Sequence, residues 1–233
     1  MSRLILYRAL GSPPARAVSM LGELLKLKME TKEINVITAE HKTPEFKKLN
    51  PMCTVPVIQD GDFVVSESHA IMKYLLSKYG GDKSESLYPS ELRTRAIVDQ
   101  CLFFDAGVFF IMRPAVLPMS LFIDGLVEPS DRSKERVDRY AYEVADSYLA
   151  HRPYIAADRL TIADLSCGST VTAMQTLHKL DSERFPRCNE WMKRLEEEHV
   201  FKTINKEGVM VFGKIVKFLK KNNSRCDVEK QFK

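Results

Sequence analysis

Near its start the sequence carries a stretch that few backbones satisfy: Leu4-Ile5-Leu6-Tyr7, then Leu10-Gly11-Ser12-Pro13-Pro14-Ala15-Arg16. A short apolar run closed by a turn signal reads as a buried strand. After the turn, Ala17, Val18, Met20, Leu21, Leu24 and Leu25 recur at helical spacing and share one face. The prolines suit the first helical turn, where a missing N–H loses no partner. Ser12 therefore stands at a strand-to-helix junction. It can be a plain N-cap, a common use of serine at that place. It can also aim its hydroxyl at a substrate, because a helix N-terminus favours negative charge beside it. The local sequence leaves both readings open.

The pattern that follows alternates. Met29 to Val36 is a modest strand, Glu40 and His41 lie in a loop, and Pro44 to Leu49 is a short helix. Asn50-Pro51-Met52-Cys53-Thr54-Val55-Pro56 leads into a strand at Val57-Ile58, Asp60-Gly61 marks a hairpin turn, and Phe63-Val64-Val65 returns. Ser66-Glu67-Ser68-His69 opens a helix striped by Ala70, Ile71, Tyr74, Leu75 and Tyr79. The order β-α-β-α-β-β-α predicts an α/β domain over residues 1–82, with helices on a small mixed sheet. Gly80 to Ser86 reads as a linker. Beyond Pro89 every periodic segment is helical, which predicts an all-α domain over 90–222. Its helices are Glu91 to about Met119, kinked or ended by Pro114 and Pro118, then Arg132–Leu149, a buried one from Leu160, Phe185–Glu197 and Lys206–Lys220. Residues 223–233 are expected to form a flexible basic tail.

At 45% hydrophobic and 28% charged residues, the composition is that of an ordinary soluble chain. There is no run of 18 apolar residues and no charged leader before an apolar core, so a cytoplasmic protein without a membrane partner is expected. The five cysteines are far apart with no CxxC pair, which argues for reduced thiols and against a disulfide framework or a zinc site. No metal is expected. The net charge of +4 is uneven: from Phe201 onward nine Lys/Arg face three Asp/Glu, a local +6 that leaves −2 for the rest. Such a tail could reach nucleic acid or acidic lipid, but a solvated helix end is the simpler account, and no nucleic-acid partner is expected.

Three further places could carry chemistry. Pro56 is trans by default, and a cis bond there would turn the Val55 N–H and C=O outward to pair with an extended ligand. At Ser66-Glu67-Ser68, a helix start could hold a ligand carboxylate on its N–H groups and a ligand amine on Glu67, or simply be capped and charged to suit its dipole. Thr161 with Asp164 has capping-box spacing and reads as structural, worth about 1 kcal/mol to the helix it starts.

In their order and spacing, Ser12-Pro13-Pro14-Ala15-Arg16, His41, Asn50-Pro51-x-x-Thr54-Val55-Pro56, Glu67-Ser68-His69-Ala70-Ile71 and Leu160-Thr161-Ile162-Ala163-Asp164 resemble the cytosolic glutathione transferases, from about residue 3 to residue 215. The Ser-Pro-Pro start and the Glu-Ser-His-Ala-Ile helix are most similar to the insect delta and epsilon classes, epsilon the nearer. The resemblance implies a thioredoxin-like N-terminal domain that binds glutathione and an all-helical C-terminal domain that supplies most of a hydrophobic substrate pocket. It implies that Ser12 donates a hydrogen bond to the glutathione sulfur. Moving a thiol two pH units down from about 8.5 takes about 2.7 kcal/mol, within reach of one charge-assisted hydrogen bond and a helix dipole.

Carried over residue by residue, Val55, ahead of Pro56, pairs through its backbone with the cysteinyl unit. Glu67 and Ser68 hold the γ-glutamyl amine and carboxylate, and His41 reaches the glycyl carboxylate. Met52-Cys53 departs from the epsilon pattern, which has Gln-His there; weaker glutathione affinity or a larger share for His41 follows, and Cys53 is an idle thiol or forms a mixed disulfide with glutathione. The second substrate is expected against Phe110, Arg113 and Leu117, at i, i+3 and i+7 of the long helix. Phe103, Phe104 and Phe109 add aromatic surface or packing, and Pro114 stands where epsilon members often have arginine. Tyr7 is the competing hydroxyl and is taken as packing. Ser12-Pro13-Pro14-Ala15 occupies the place where redox relatives carry CxxC, so disulfide chemistry there is excluded.

The expected protein is thus a homodimeric glutathione transferase, with His69 and a partner Phe104 at the contact. It would conjugate glutathione, its co-substrate, to small hydrophobic electrophiles or drive eliminations such as dehydrochlorination, in detoxification of xenobiotics including insecticides. The alternatives are a weakly catalytic carrier of hydrophobic ligands or steroids on the same fold, and a structural module.

Overall fold

The computed structural model describes residues 3–109 and 128–231. Leu4–Arg8 forms β1, the centre of a four-stranded sheet. Glu30–Glu33, β2, runs parallel to it on one side, with Ile5 opposite Glu30. On the other side Val57–Asp60, β3, runs antiparallel, with Tyr7 opposite Val57, and Phe63–Ser66, β4, closes the hairpin. Gly61 takes φ 65°, the left-handed value that a two-residue hairpin turn demands. Because strand side chains alternate, β1 feeds both faces. Leu4 and Leu6 pack on α1, Pro13–Leu24, and α3, Ser68–Tyr79, while Tyr7 meets Phe46 of α2, Pro44–Leu49, on the opposite face.

Asp60, a turn residue by sequence, is buried and binds the sheet to α3. Its Oδ2 accepts from Tyr74 at 2.8 Å, Lys78 at 2.6 Å and Tyr79 at 2.5 Å. The stretch read as a linker contains a helix, α4, Lys83–Leu87. It is held by Ser84, whose hydroxyl donates to the Leu76 carbonyl at 2.6 Å, and by Lys83 on the Leu24 carbonyl.

The remainder is helical. Leu92–Phe104, α5, passes into a wider π-turn at Asp105–Phe109. Asp131–Val137, α6, and Glu143–Tyr148, α7, are joined by a second π-turn at Asp138–Tyr142. Ile162–Met174, α8, Pro186–Glu197, α9, and Lys206–Gln231, α10, complete the order. The chain therefore has the expected thioredoxin-like sheet followed by a helical half. One continuous apolar core joins them: Ala17, Val18 and Leu21 of α1 share it with Leu165, Cys167 and Val171 of α8, and with Phe212 and Val216 of α10.

Helix α8 is the pillar. Nearly every residue of it is buried, and its start is fully bonded. Thr161 caps it by accepting from the Ala163 N–H at 3.3 Å, and Asp164 reaches back to the Thr161 N–H at 2.9 Å, the expected capping box. The fully buried Asp164 carboxylate also accepts from the Thr161 hydroxyl at 3.0 Å, the Ile155 N–H at 2.8 Å and Trp191 Nε1 at 2.9 Å. Burial raises its pKa, while these four donors pull the other way.

Candidate functional site

Between the two halves lies a cleft of about 210 Å³. It is lined from the sheet side by Pro14, Met52, Thr54, Val55, Pro56, Glu67, Ser68 and His69, and from the helical side by Asp105, Ala106 and Thr170. Four expected site residues come together here, Val55 and Pro56 from the loop before β3 and Glu67 and Ser68 from the start of α3.

The loop before β3 is shaped by Asn50, itself 1% exposed. Its Nδ2 donates to the Thr54 carbonyl at 2.8 Å and its Oδ1 accepts from the Met52 N–H at 3.1 Å. Val55–Pro56 is cis, where the sequence alone makes trans the default. The β3 ladder begins only at Val57, so the Val55 N–H and C=O stay outside it. Cys53 sits at φ 53°, half-buried, its Sγ 3.7 Å from the Pro51 carbonyl; Met52 and Thr54 on either side line the cleft, but Cys53 does not.

Glu67 occupies the N-cap position of α3 at φ 71°, a backbone region that costs a non-glycine residue about 1–3 kcal/mol. Its carboxylate caps nothing and is exposed, whereas Ser68 beside it is buried. The capping reading of this helix start therefore does not hold: the strained backbone turns Glu67 toward the cleft rather than onto its own helix.

Ser12 is the N-cap residue of α1, half-buried, with extended backbone angles of −76° and 121°. Its N–H donates to the Ala9 carbonyl at 2.8 Å, closing the turn, but its hydroxyl makes no capping bond. Pro13 and Pro14 account for this in part, since neither has an N–H to be capped. The hydroxyl is left over at the positive end of a twelve-residue helix, two positions before Pro14 in the cleft wall. Tyr7, the rival hydroxyl, is already engaged. It donates to Gln59 Oε1 at 3.0 Å, accepts from Lys32 at 3.4 Å, and lines a different cavity with Phe46 and Leu49.

His41 lies in a short 3-10 turn, Glu40–Lys42, and does not line the cleft. Its Nδ1 is buried with no partner. Burial, helped by Lys42, lowers its pKa from 6.5, so the ring is neutral at pH 7. Phe110, Arg113 and Leu117, the expected hydrophobic-substrate residues, lie outside the described residues.

Sequence reasoning passed over the helical wall. The π-turn after Phe104 places Asp105 and Ala106 on the cleft. Asp105 Oδ2 accepts from the Ser166 hydroxyl at 2.5 Å and lies 3.1 Å from His69 Nε2, which is 2.8 Å from the same hydroxyl. Asp105 Oδ1 is buried with no partner, an open acceptor in a wall that also holds Glu67. No sequence signal singled out Ser166, because α8 also carries Ser169, Thr170 and Thr172. His69 and Phe104, expected at a subunit contact, are engaged within the chain, Phe104 edge-on to Tyr148 with ring centroids 5.3 Å apart. No group of His, Cys, Asp and Glu among the described residues is arranged to hold a metal ion, and no described helix is long and apolar enough to cross a membrane.

The wall thus offers a free backbone edge at Val55 and two carboxylates, and the uncapped Ser12 hydroxyl stands on the helix N-terminus two positions before Pro14, beside the lining rather than in it; together they suit a thiol-bearing peptide with an amino group. Comparisons with known proteins identify the family. Residues 2–77 match the family described as glutathione S-transferase, N-terminal domain, and residues 135–194 the family described as glutathione S-transferase, C-terminal domain. Glutathione S-transferase 1 of Manduca sexta is 37% identical over 206 residues, covering 87% of this chain and 92% of that protein. An epsilon-class glutathione S-transferase structure from the housefly, Musca domestica, superposes with a TM-score of 0.88 at 34% identity, covering 93% of this chain and 98% of that one. A glutathione transferase homologue from Drosophila mojavensis, solved with bound glutathione, superposes with a TM-score of 0.85 at 36% identity, covering 93% and 97%.

Proposed function

The chain belongs to the glutathione S-transferase family and is a glutathione transferase of the insect delta and epsilon group, and from that premise we propose how its cleft works. Glutathione binds along the wall from Val55 to Glu67. The Val55 N–H and C=O pair with the cysteinyl unit as an added strand would. Ser68 and the first N–H groups of α3 take the γ-glutamyl carboxylate, and Glu67, with the open Oδ1 of Asp105, takes the γ-glutamyl amine. His41 turns its neutral ring to the glycyl carboxylate, and Cys53 stays a bystander thiol.

The observation that carries this reading is the unused Ser12 hydroxyl at the head of α1, beside that wall. It donates to the glutathione sulfur, and with the helix dipole it favours the thiolate over the thiol. The thiolate attacks a small hydrophobic electrophile, or removes a proton and drives elimination of chloride. Phe110, Arg113 and Leu117 supply part of that second pocket. Detoxification of xenobiotics, insecticides among them, in the cytoplasm is the role these chemistries fit. The test is a glutathione titration followed by the ultraviolet absorbance of bound thiolate, in wild type and Ser12→Ala. A thiolate band at neutral pH that the mutation removes is the expected result; a band that survives it moves the role elsewhere, and binding without a band favours a ligand carrier.

The protein works as a homodimer. Leu92 and Phe103 are 78% and 74% exposed, and eleven residues apart on α5 they share a face. Phe103→Asp should give monomers by light scattering; an unchanged mass would refute the contact.

A further inference from the structure

Arg16 follows Ser12 by one helical turn, about 6 Å along the axis of α1. It is 1% exposed. Nη2 donates to the Ser169 carbonyl at 2.6 Å and lies 3.5 Å from Thr172 Oγ1, while Nε and Nη1 are buried with no partner. The groups that face it are the Ser169 carbonyl and Thr172 hydroxyl of α8, Gly208 of α10, and the Leu10 carbonyl of the turn itself; Asn205 lies behind Thr172. None is titratable. Burial alone pulls its pKa down, to about 9, with no carboxylate acting on it, so it stays a cation at neutral pH.

A buried cation without a counter-charge is expensive, and an apolar side chain of similar volume commonly replaces such a group without loss of stability. The fold even leaves room for it: a Cβ at position 208 would stand 2.2 Å from Arg16 Cδ and 2.6 Å from the Leu10 carbonyl, so only glycine lets α10 close over this side chain. Packing does not account for the charge, but the neighbourhood does. The guanidinium adds a full positive charge to the end of the helix whose head carries Ser12.

We infer that Arg16 is an electrostatic positioning residue, an unpaired guanidinium held beneath the Ser12 turn to favour an anionic sulfur at the Ser12 hydroxyl. This rests on the reading of Ser12 given above. It acts through its field, without touching glutathione. A unit charge about 10 Å away, at an effective dielectric constant of about 20, is worth about one pH unit.

The experiment is a pH titration of the thiolate absorbance at saturating glutathione in wild type, Arg16→Met, Thr172→Asp and Ser12→Ala, with melting temperatures measured alongside. Thr172→Asp keeps the guanidinium and gives it a counter-charge, so it decides the question should Arg16→Met fail to fold. The expected result is a midpoint about one pH unit higher in both variants, kcat/KM falling about tenfold below that midpoint and recovering above it, and a melting temperature in Thr172→Asp no lower than wild type. Unmoved midpoints in the folded variants, with Ser12→Ala still raising it, overturn the role of Arg16 alone. No thiolate band in wild type at any pH overturns the Ser12 reading and this inference with it.

Discussion

Helices α1 and α8 lie against each other, and each begins at a hydroxyl residue, yet the two hydroxyls have opposite fates. Thr161 is spent on its own helix: its oxygen accepts from Ala163, and it donates to Asp164, which has four donors around it. Ser12 caps nothing. The fully satisfied start anchors the core, and the unsatisfied one carries the hydroxyl that the proposed function assigns to glutathione. A hydroxyl at a helix N-terminus is thus informative through what it fails to bond. The same contrast holds for two carboxylates: Asp164 is saturated, whereas Asp105, on the cleft wall, keeps a buried oxygen without a partner.

The contrast can be broken most forcefully at Asp164. Asp164→Ala strands four buried donors and should cost about 3–5 kcal/mol in urea unfolding; a loss under about 1 kcal/mol would mean the anchor is not one. Next is Ser12→Ala, expected to lower kcat/KM by about 10²–10³-fold, the scale of losing one donor to a developing or stabilised anion. Its unfolding free energy should stay within about 0.5 kcal/mol of wild type, because no capping bond is lost. A drop matching the ~1 kcal/mol of a lost cap would return Ser12 to the same class as Thr161.

Glu67→Gly should then raise stability by about 1 kcal/mol in thermal unfolding by relieving the left-handed backbone. It should also weaken glutathione binding by calorimetry; tighter or unchanged binding would show that the strain serves nothing at the cleft. The smallest effect belongs to His41. Its folded-state pKa lies below 6.5, so it contributes stability above that value and loses the contribution as the pH falls through the lowered one. His41→Gln should flatten slightly the fall in stability between pH 7 and 5, and a steeper fall would reverse the assignment.

Much of the frame could be read from residues alone, because it rests on local rules. Asp60-Gly61 specified its hairpin through the left-handed glycine, Pro13 and Pro14 placed the start of α1, and the Thr161–Asp164 spacing specified its box. What stayed hidden depends on contacts between distant segments or on backbone that residue type does not announce. Nothing in Glu67, Cys53 or Ala39 signals a positive φ, since none is glycine. Helix α5 reads as continuous, but a π-turn at Asp105–Phe109 re-aims Asp105 to the cleft. Asp105, Ser166 and His69 meet across separations of 36 to 97 residues, so no spacing pattern could join them. Arg16 looks like any helix-surface arginine until Ser169, Thr172 and Gly208 enclose it.

That enclosure has a consequence for how the protein is made. The turn bearing Ser12 is synthesised well before the segment that covers it: Gly208 closes over Leu10 and Arg16, and Val211 and Phe212 pass over Gly11. At bacterial to eukaryotic elongation rates of about 5–20 residues per second, the nascent chain waits about 10–40 s between the two segments. Through that interval Arg16 and the turn bearing Ser12 lack their cover from α10. The packing around Leu10, Gly11 and Arg16 is therefore complete only when α10 has been made and has docked.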